Sequence, residues 1–153
     1  MHLEQLRQDL AQSGWKDLQP GQHLGIPFDL IGGKSGLTKW NVYVSVVPRL
    51  DQATARAWQQ NFELMNKKAK SIVWGKSFLL CLIAQEVSPD VLEMLKGDSF
   101  GLFGVIRLQG GGGNIFIADE GNKRVYGKAP ALPVDVNRNR NALLKILDGA
   151  LNR

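Results

Sequence analysis

The sequence predicts one mixed α/β domain spanning residues 1–153, with a central mixed sheet of about five to six strands and helices on both faces. Its 153 residues are 44% hydrophobic and 22% charged, which is typical of a single globular domain. Apolar residues recur at helical spacing in some segments and form alternating or continuous runs in others. No internal repeat and no linker divides the chain, so we predict a single domain.

Four segments carry an apolar stripe at helical spacing together with a residue suited to a helix end. Asp51 is a good N-cap, and Ser88 followed by Pro89 is an N-cap with the residue best suited to the first helical position. Gly14 is suited to the positive φ that ends a helix. The predicted helices are 3 to about 13, 51 to about 68, 88–97, and about 137 to the end.

Strands are predicted where β-branched and aromatic residues alternate or run together. Val42 and Val44 should face one side of their strand and Tyr43 the other, so this strand is predicted to be interior. Pro48 is expected to end it, and residues 17–25 are interpreted as a loop. The predicted strands are 26–31, 40–47, 77–84, 100–108, 114–119 and 123–126, the last two forming a hairpin.

Several motifs resemble nucleotide or catalytic sites but lack a required part. The triplets at 33–35 and 75–77 read Gly-Lys-Ser, yet a phosphate loop also needs an earlier glycine where Phe28 and Lys70 stand. Cys81 lies in an apolar run that should bury its thiol. With one cysteine and two histidines, neither a disulfide nor a zinc site is predicted.

The first half of the chain carries a resemblance. A helix ending in Gly14-Trp15 leads into a strand with Asp29 in the segment 27–32, followed by the strand 40–47 and a long helix. This order resembles the core of the restriction-endonuclease-like superfamily, which includes Holliday-junction resolvases, over roughly residues 3 to 84. The resemblance implies a scaffold of that type and Mg²⁺-dependent cleavage of nucleic acid, with two carboxylates holding the ion.

The active-site pattern of that superfamily is incomplete here. Asp29 matches its first carboxylate, and Glu4 stands where some members place an auxiliary acid. The next strand should carry Asp or Glu, one residue, and Lys, but 41–47 contains none of them. The resemblance therefore implies the scaffold more than the activity. No metal site is predicted, except at Asp29 if the chain is a nuclease.

Basic residues form three clusters in a chain whose net charge is +5. These clusters could converge and track phosphates, or they could be ordinary solubilising charge, and the sequence leaves both interpretations open. Asp119 and Glu120, close to Lys123, are interpreted as solvated turn formers. The clusters are Lys67, Lys68 and Lys70 with Lys76; Lys123, Arg124 and Lys128; and Arg138 with Arg140.

We therefore expect a non-catalytic interaction module, without a cofactor, whose partner is a protein or a nucleic acid. A basic nucleic-acid-binding protein and a Mg²⁺-dependent nuclease centred on Asp29 are the alternatives. The first residues hold no apolar segment of a signal peptide, and no apolar run is long enough to span a membrane. A cytoplasmic protein is therefore expected.

Overall fold

A computed structural model of the chain describes residues 1–35, 39–69, 77–96, 112–127 and 134–153. It confirms the mixed α/β class, with six strands in one sheet flanked by four helices. The predicted strand 100–108 lies outside the described residues. In chain order the elements are α1 (Leu3–Gln12), β1 (Lys16–His23), β2 (Ile26–Lys34), β3 (Trp40–Leu50), α2 (Gln52–Ala69), β4 (Ser77–Val87), α3 (Pro89–Lys96), β5 (Gly112–Asp119), β6 (Arg124–Tyr126) and α4 (Val134–Leu151).

The strands lie in the sheet in their order along the chain, from β1 to β6. Strands β3, β4 and β5 are parallel, and the other pairs are antiparallel. Helices α2 and α3 pack on one face and α1 and α4 on the other, so the core has two layers. Val42 and Val44 belong to one layer and Tyr43 to the other, which confirms the predicted alternation of an interior strand.

The interpretation of residues 17–25 as a loop is wrong, because β1 occupies most of this segment. β1 lies at the edge of the sheet and pairs only with β2, and an edge strand tolerates a proline such as Pro20. Its register with β2 shifts twice, and Asp17 near the first shift has a φ of 58°. These irregularities explain why the segment lacks the periodicity of a regular strand.

Two further strands are longer than predicted. β2 continues past residue 31, where it was predicted to end, and its Gly33 and Lys34 pair with β3. β3 continues past Pro48 to Leu50. The β2–β3 ladder ends at the pair Leu30–Val44, so β2 no longer pairs with β3 at Pro48. Proline has no backbone N–H, and no ladder hydrogen bond is lost on that side of β3.

The predicted helix ends agree with the structure apart from the start of α4. The N–H of Thr54 donates to Asp51 Oδ1 at 2.8 Å, so Asp51 caps α2, and Gly14 after α1 has a φ of 98°. α3 begins at Pro89, as predicted, whereas α4 begins at Val134, three residues earlier than predicted. Within the described residues, the helices are too short or too polar to cross a lipid bilayer.

Candidate nucleic-acid interface

The parallel strands give the sheet two distinct ends. We call the end where β3, β4 and β5 begin the basic end and the end where they finish the carboxyl end. The eleven residues of β4 place the two ends about 30 Å apart. Cationic residues from five elements or their flanks meet at the basic end. These residues are Lys16, Lys34, Lys39, Lys67, Lys68, Arg138 and Arg140.

Helix α2 carries Lys67 and Lys68 to the basic end because it returns across the sheet between two parallel strands. The ring centroids of Phe62 and Phe78 lie 5.7 Å apart, and Phe78 is the second residue of β4. Because Lys67 and Lys68 follow Phe62 by more than one helical turn, the end of α2 reaches the end of the sheet where β4 begins. Both lysines are exposed there, in the helix turn whose free carbonyls favour cations.

The remaining exposed cations come from the strand starts and from α4. Lys16 lies at the start of β1 and pairs with Gly33, and Lys39 immediately precedes β3. Arg138 is exposed in the second turn of α4. Among the described residues, none of these three side chains nor Lys67 forms an ion pair or hydrogen bond.

Two cations of the basic end hold the fold together. The Lys34 ammonium donates to the carbonyl oxygen of Ser13 at 2.9 Å and lies 5.7 Å from the centre of the Trp15 ring. It thus caps the carboxyl end of α1 and joins that helix to β2. Its half-buried position leaves it less open to a partner than the exposed lysines are.

Arg140, unlike Arg138 on the same helix, is buried, with 5% of its surface exposed. The Asn114 amide is oriented so that its oxygen faces the guanidinium. Nε and Nη2 of Arg140 then donate to that oxygen at 2.7 and 3.1 Å. The guanidinium carbon lies 6.0 Å from the centre of the Trp40 ring. Burial lowers the pKa of Arg140. Arg140 therefore fastens α4 to β3 and β5.

On the elements that reach the basic end, the described carboxylates closest in sequence to that end are Asp17 in β1, Glu63 in α2 and Asp9 in the last turn of α1, which pairs with Arg153. Glu63 accepts a hydrogen bond from the Gln59 side chain and lies four residues before Lys67, on the same side of the helix. Among the described side chains, the seven cations of this end outnumber these three carboxylates.

The three predicted basic clusters converge only in part. Lys67, Lys68 and Arg138 share the basic end, whereas Lys123 and Arg124 follow the end of β5 and lie at the carboxyl end. Arg140 is buried rather than exposed. Lys70, Lys76 and Lys128 lie outside the described residues.

At the carboxyl end, the carboxylates are engaged in local structure. The backbone hydrogen bond from Thr54 lowers the pKa of Asp51, and the hydrogen bond from the Ser88 hydroxyl lowers the pKa of Asp90. Glu86 pairs with Arg49 across β3 and β4 at 2.6 Å. These groups cap helices or join strands.

Asp119 forms the predicted hairpin turn, but it is buried rather than solvated. Its two oxygens accept from the backbone N–H of Asn122 at 3.2 Å and from the Asn122 side chain at 2.7 Å. The interpretation as a turn former is confirmed, and the expected solvation is wrong. The Asn122 donors compensate for the water that a buried carboxylate loses.

Asp29 completes the backbone pairing where β2 and β3 separate. Its Oδ2 accepts from the N–H of Val46 at 2.7 Å, two residues beyond Val44 of the last ladder pair. Asp29 lies in the interval of β2 where the register with β1 shifts, between Phe28 and Ile31. The carboxylate therefore takes over a hydrogen bond that a backbone carbonyl would otherwise make.

Glu4 is exposed in the first turn of α1 and pairs with Arg7 one turn along the same helix. The hydrogen bond from Arg7 lowers the pKa of Glu4. In the described parts of the chain, no three His, Cys, Asp or Glu side chains are grouped so that they could hold a metal ion. The structure thus gives Asp29 and Glu4 separate structural partners.

Two further titratable groups lie in the core. Cys81 is fully buried, as predicted, and burial raises the pKa of its thiol to about 12. Burial also raises the pKa of Tyr43 to about 12. A thiol with such a pKa stays protonated and is a poor nucleophile near neutral pH.

Comparison with known proteins adds no relative: no family model, curated protein or solved structure matches this chain.

Proposed function

We propose that this domain is a non-catalytic interaction module that binds nucleic acid through the basic end. The observation that carries the proposal is the meeting of exposed cations from β1, the start of β3, α2 and α4 at one end of the sheet. Four of them, Lys16, Lys39, Lys67 and Arg138, form no ion pair with the described part of the chain. Contact with phosphates would release counterions, so binding should weaken as salt rises.

A nucleic acid fits this surface better than a protein partner does. Lysine is depleted in the centre of protein–protein interfaces, which favour aromatic residues and arginine. Phosphate contacts, in contrast, are commonly made by Lys and Arg side chains. Lysines supply most of the exposed charge at the basic end, and its two described tryptophans, Trp15 and Trp40, are buried.

The module is proposed to be non-catalytic because of the position of Asp29. A Mg²⁺ ion held by protein normally has at least one or two carboxylates as ligands together with water. One oxygen of Asp29 already accepts the N–H of Val46, and β3 supplies no carboxylate beside it. Nuclease chemistry at Asp29 would need a second anion that the described residues do not bring there.

Binding of a short fluorescent DNA duplex, followed by fluorescence anisotropy, tests the proposal. The double variant Lys67→Gln, Lys68→Gln removes two exposed charges from the basic end. We expect it to weaken binding at least about tenfold at low salt and to reduce the slope of log K against log salt by about 2. Both positions are exposed, so the free energy of unfolding should change by less than about 0.5 kcal/mol for each.

The matched control is Lys123→Gln, Arg124→Gln, which removes the same charge from the carboxyl end. It should leave affinity within about threefold of the parent, because charges a Debye length of about 10 Å or more away are screened. Equal losses in the two double variants would show that net charge alone governs binding. Failure of the parent to bind any duplex or single strand would reject the proposed function.

A further inference from the structure

We infer that the basic end recognises the phosphate backbone without reading bases, so that binding is independent of sequence. This inference rests on the proposed function and specifies its substrate class. It follows from which cations at the basic end are exposed and which are engaged in the fold.

The exposed cations are mainly lysines. A lysine ammonium is a compact charge on a flexible stem, suited to a phosphate oxygen in many orientations. Arginine and lysine both contact O6 and N7 of guanine in the major groove, but only the fixed fork of arginine holds its two donors in one geometry. Lys16, Lys39, Lys67 and Lys68 are all exposed and provide charge without such a fork.

Among the described residues of the basic end, the buried arginine and the two tryptophans are engaged in the fold. The Nε and Nη2 edge of Arg140 binds the Asn114 oxygen and its guanidinium lies over Trp40, so this edge cannot meet a base. Trp15 and Trp40 are 2% and 9% exposed, which leaves neither ring a free face on which a base could stack. Arg138 alone, among the described side chains at this end, offers an exposed guanidinium.

The experiment compares duplexes of equal length whose sequences are all A·T, all G·C or mixed, in the same buffer at low salt. We expect dissociation constants within about threefold of one another, because phosphates present the same charge in each duplex. Base reading by even one bidentate pair would separate them by at least about fivefold, the factor that corresponds to 1 kcal/mol.

The variant Arg138→Lys keeps the charge and removes the only exposed guanidinium fork among the described side chains of the basic end. Under the inference, its affinities for the three duplexes keep the same ratios as those of the parent. A preference of about fivefold or more in the parent would overturn the inference, and its disappearance in Arg138→Lys would assign the base reading to that guanidinium, while salt-dependent binding would keep the proposed function. If none of the duplexes binds, the proposed function itself fails and the inference with it.

Discussion

The two ends of the sheet use their charges differently. At the carboxyl end, Asp51 caps α2, Asp119 holds the β5–β6 turn and Glu86 pairs with Arg49 across two strands. At the basic end, Lys39 and Lys67 are exposed and form no ion pair in the described part of the chain. The carboxylates of the carboxyl end therefore hold the fold together, while four of the five exposed cations described at the basic end form no ion pair with the described residues and can meet an external anion.

The basic end also divides its own cations between two roles. Lys34 and Arg140 are anchored to Ser13 and Asn114, whereas Arg138, two residues before Arg140, is exposed. The anchored cations hold α1 and α4 against the sheet. They thereby fix the framework from which the exposed cations project.

The largest effect on stability is expected from Arg140→Ala. It removes the side chain that packs on Trp40 and leaves the buried Asn114 amide without its donors, so the free energy of unfolding should fall by about 2–3 kcal/mol. Arg138→Ala removes the same charge from an exposed site and should cost less than about 0.5 kcal/mol. Chemical denaturation measures both, and equal losses would contradict the division of roles.

Asp29→Ala should lower the free energy of unfolding by about 1–2 kcal/mol, because it leaves the N–H of Val46 without its acceptor. Asp29→Asn retains an oxygen at the same place and should lose less. The direction of the change in the free energy of unfolding distinguishes the two roles of Asp29, since active-site carboxylates are often kept at a cost in stability. An alanine variant as stable as the parent, or more stable, would contradict the structural role of Asp29.

A gain in stability, smaller than these losses, is expected from a substitution in the β1–β2 turn, which lies at the carboxyl end. Leu24 and Gly25 have φ values of 54° and 76°, and a leucine is unfavourable in this left-handed region. Leu24→Asn should raise the free energy of unfolding by about 0.5–1 kcal/mol, because asparagine tolerates this conformation.

Leu64→Asn is the matched control for that prediction. Leu24 and Leu64 are both 40% exposed, but Leu64 lies in α2. Asparagine is a poorer helix former than leucine, so the control should be destabilised by up to about 0.5 kcal/mol. Thermal or chemical denaturation gives both values, and a change of the same sign in the two variants would reject backbone strain at Leu24.

The smallest predicted effect is local and depends on pH. Hydrogen bonds from the Thr54 N–H and the Ser88 hydroxyl lower the pKa values of Asp51 and Asp90 from 3.8, so the contribution of these bonds to stability is complete above that value. It is lost as the pH falls below about 4 through the lowered pKa values of the folded state. The amide resonance of Thr54 should titrate with a midpoint below 3.8, and a midpoint at or above this value would contradict the cap.

Local patterns in the sequence predicted much of the fold. The alternation of Val42, Tyr43 and Val44, the Asp51 cap and the β5–β6 hairpin each depend on neighbouring residues only. β1 was missed because an edge strand with two register shifts and Pro20 has no regular periodicity. Pro48 was misjudged because its effect depends on where β2 stops pairing, which lies far away in the sequence.

The candidate site was harder to predict, because it depends on topology. That Lys67 and Arg138 share one end follows from the parallel pairing of β3 with β4 and from the return of α2, which no local pattern states. One signal was present. Residues two apart on a helix point about 200° apart, so Arg138 and Arg140 could not both face solvent on a helix packed against a sheet.

The most direct test of the difference between the two ends is an NMR titration of the ¹⁵N-labelled domain with a short DNA duplex at low salt. We predict that the largest shifts fall on the amides of the basic end, at Lys16, Lys39, Lys67, Lys68 and Arg138. Amides of the carboxyl end, at Asp51, Lys123 and Arg124, should change little. Shifts centred on the carboxyl end, or spread evenly over both ends, would contradict this prediction.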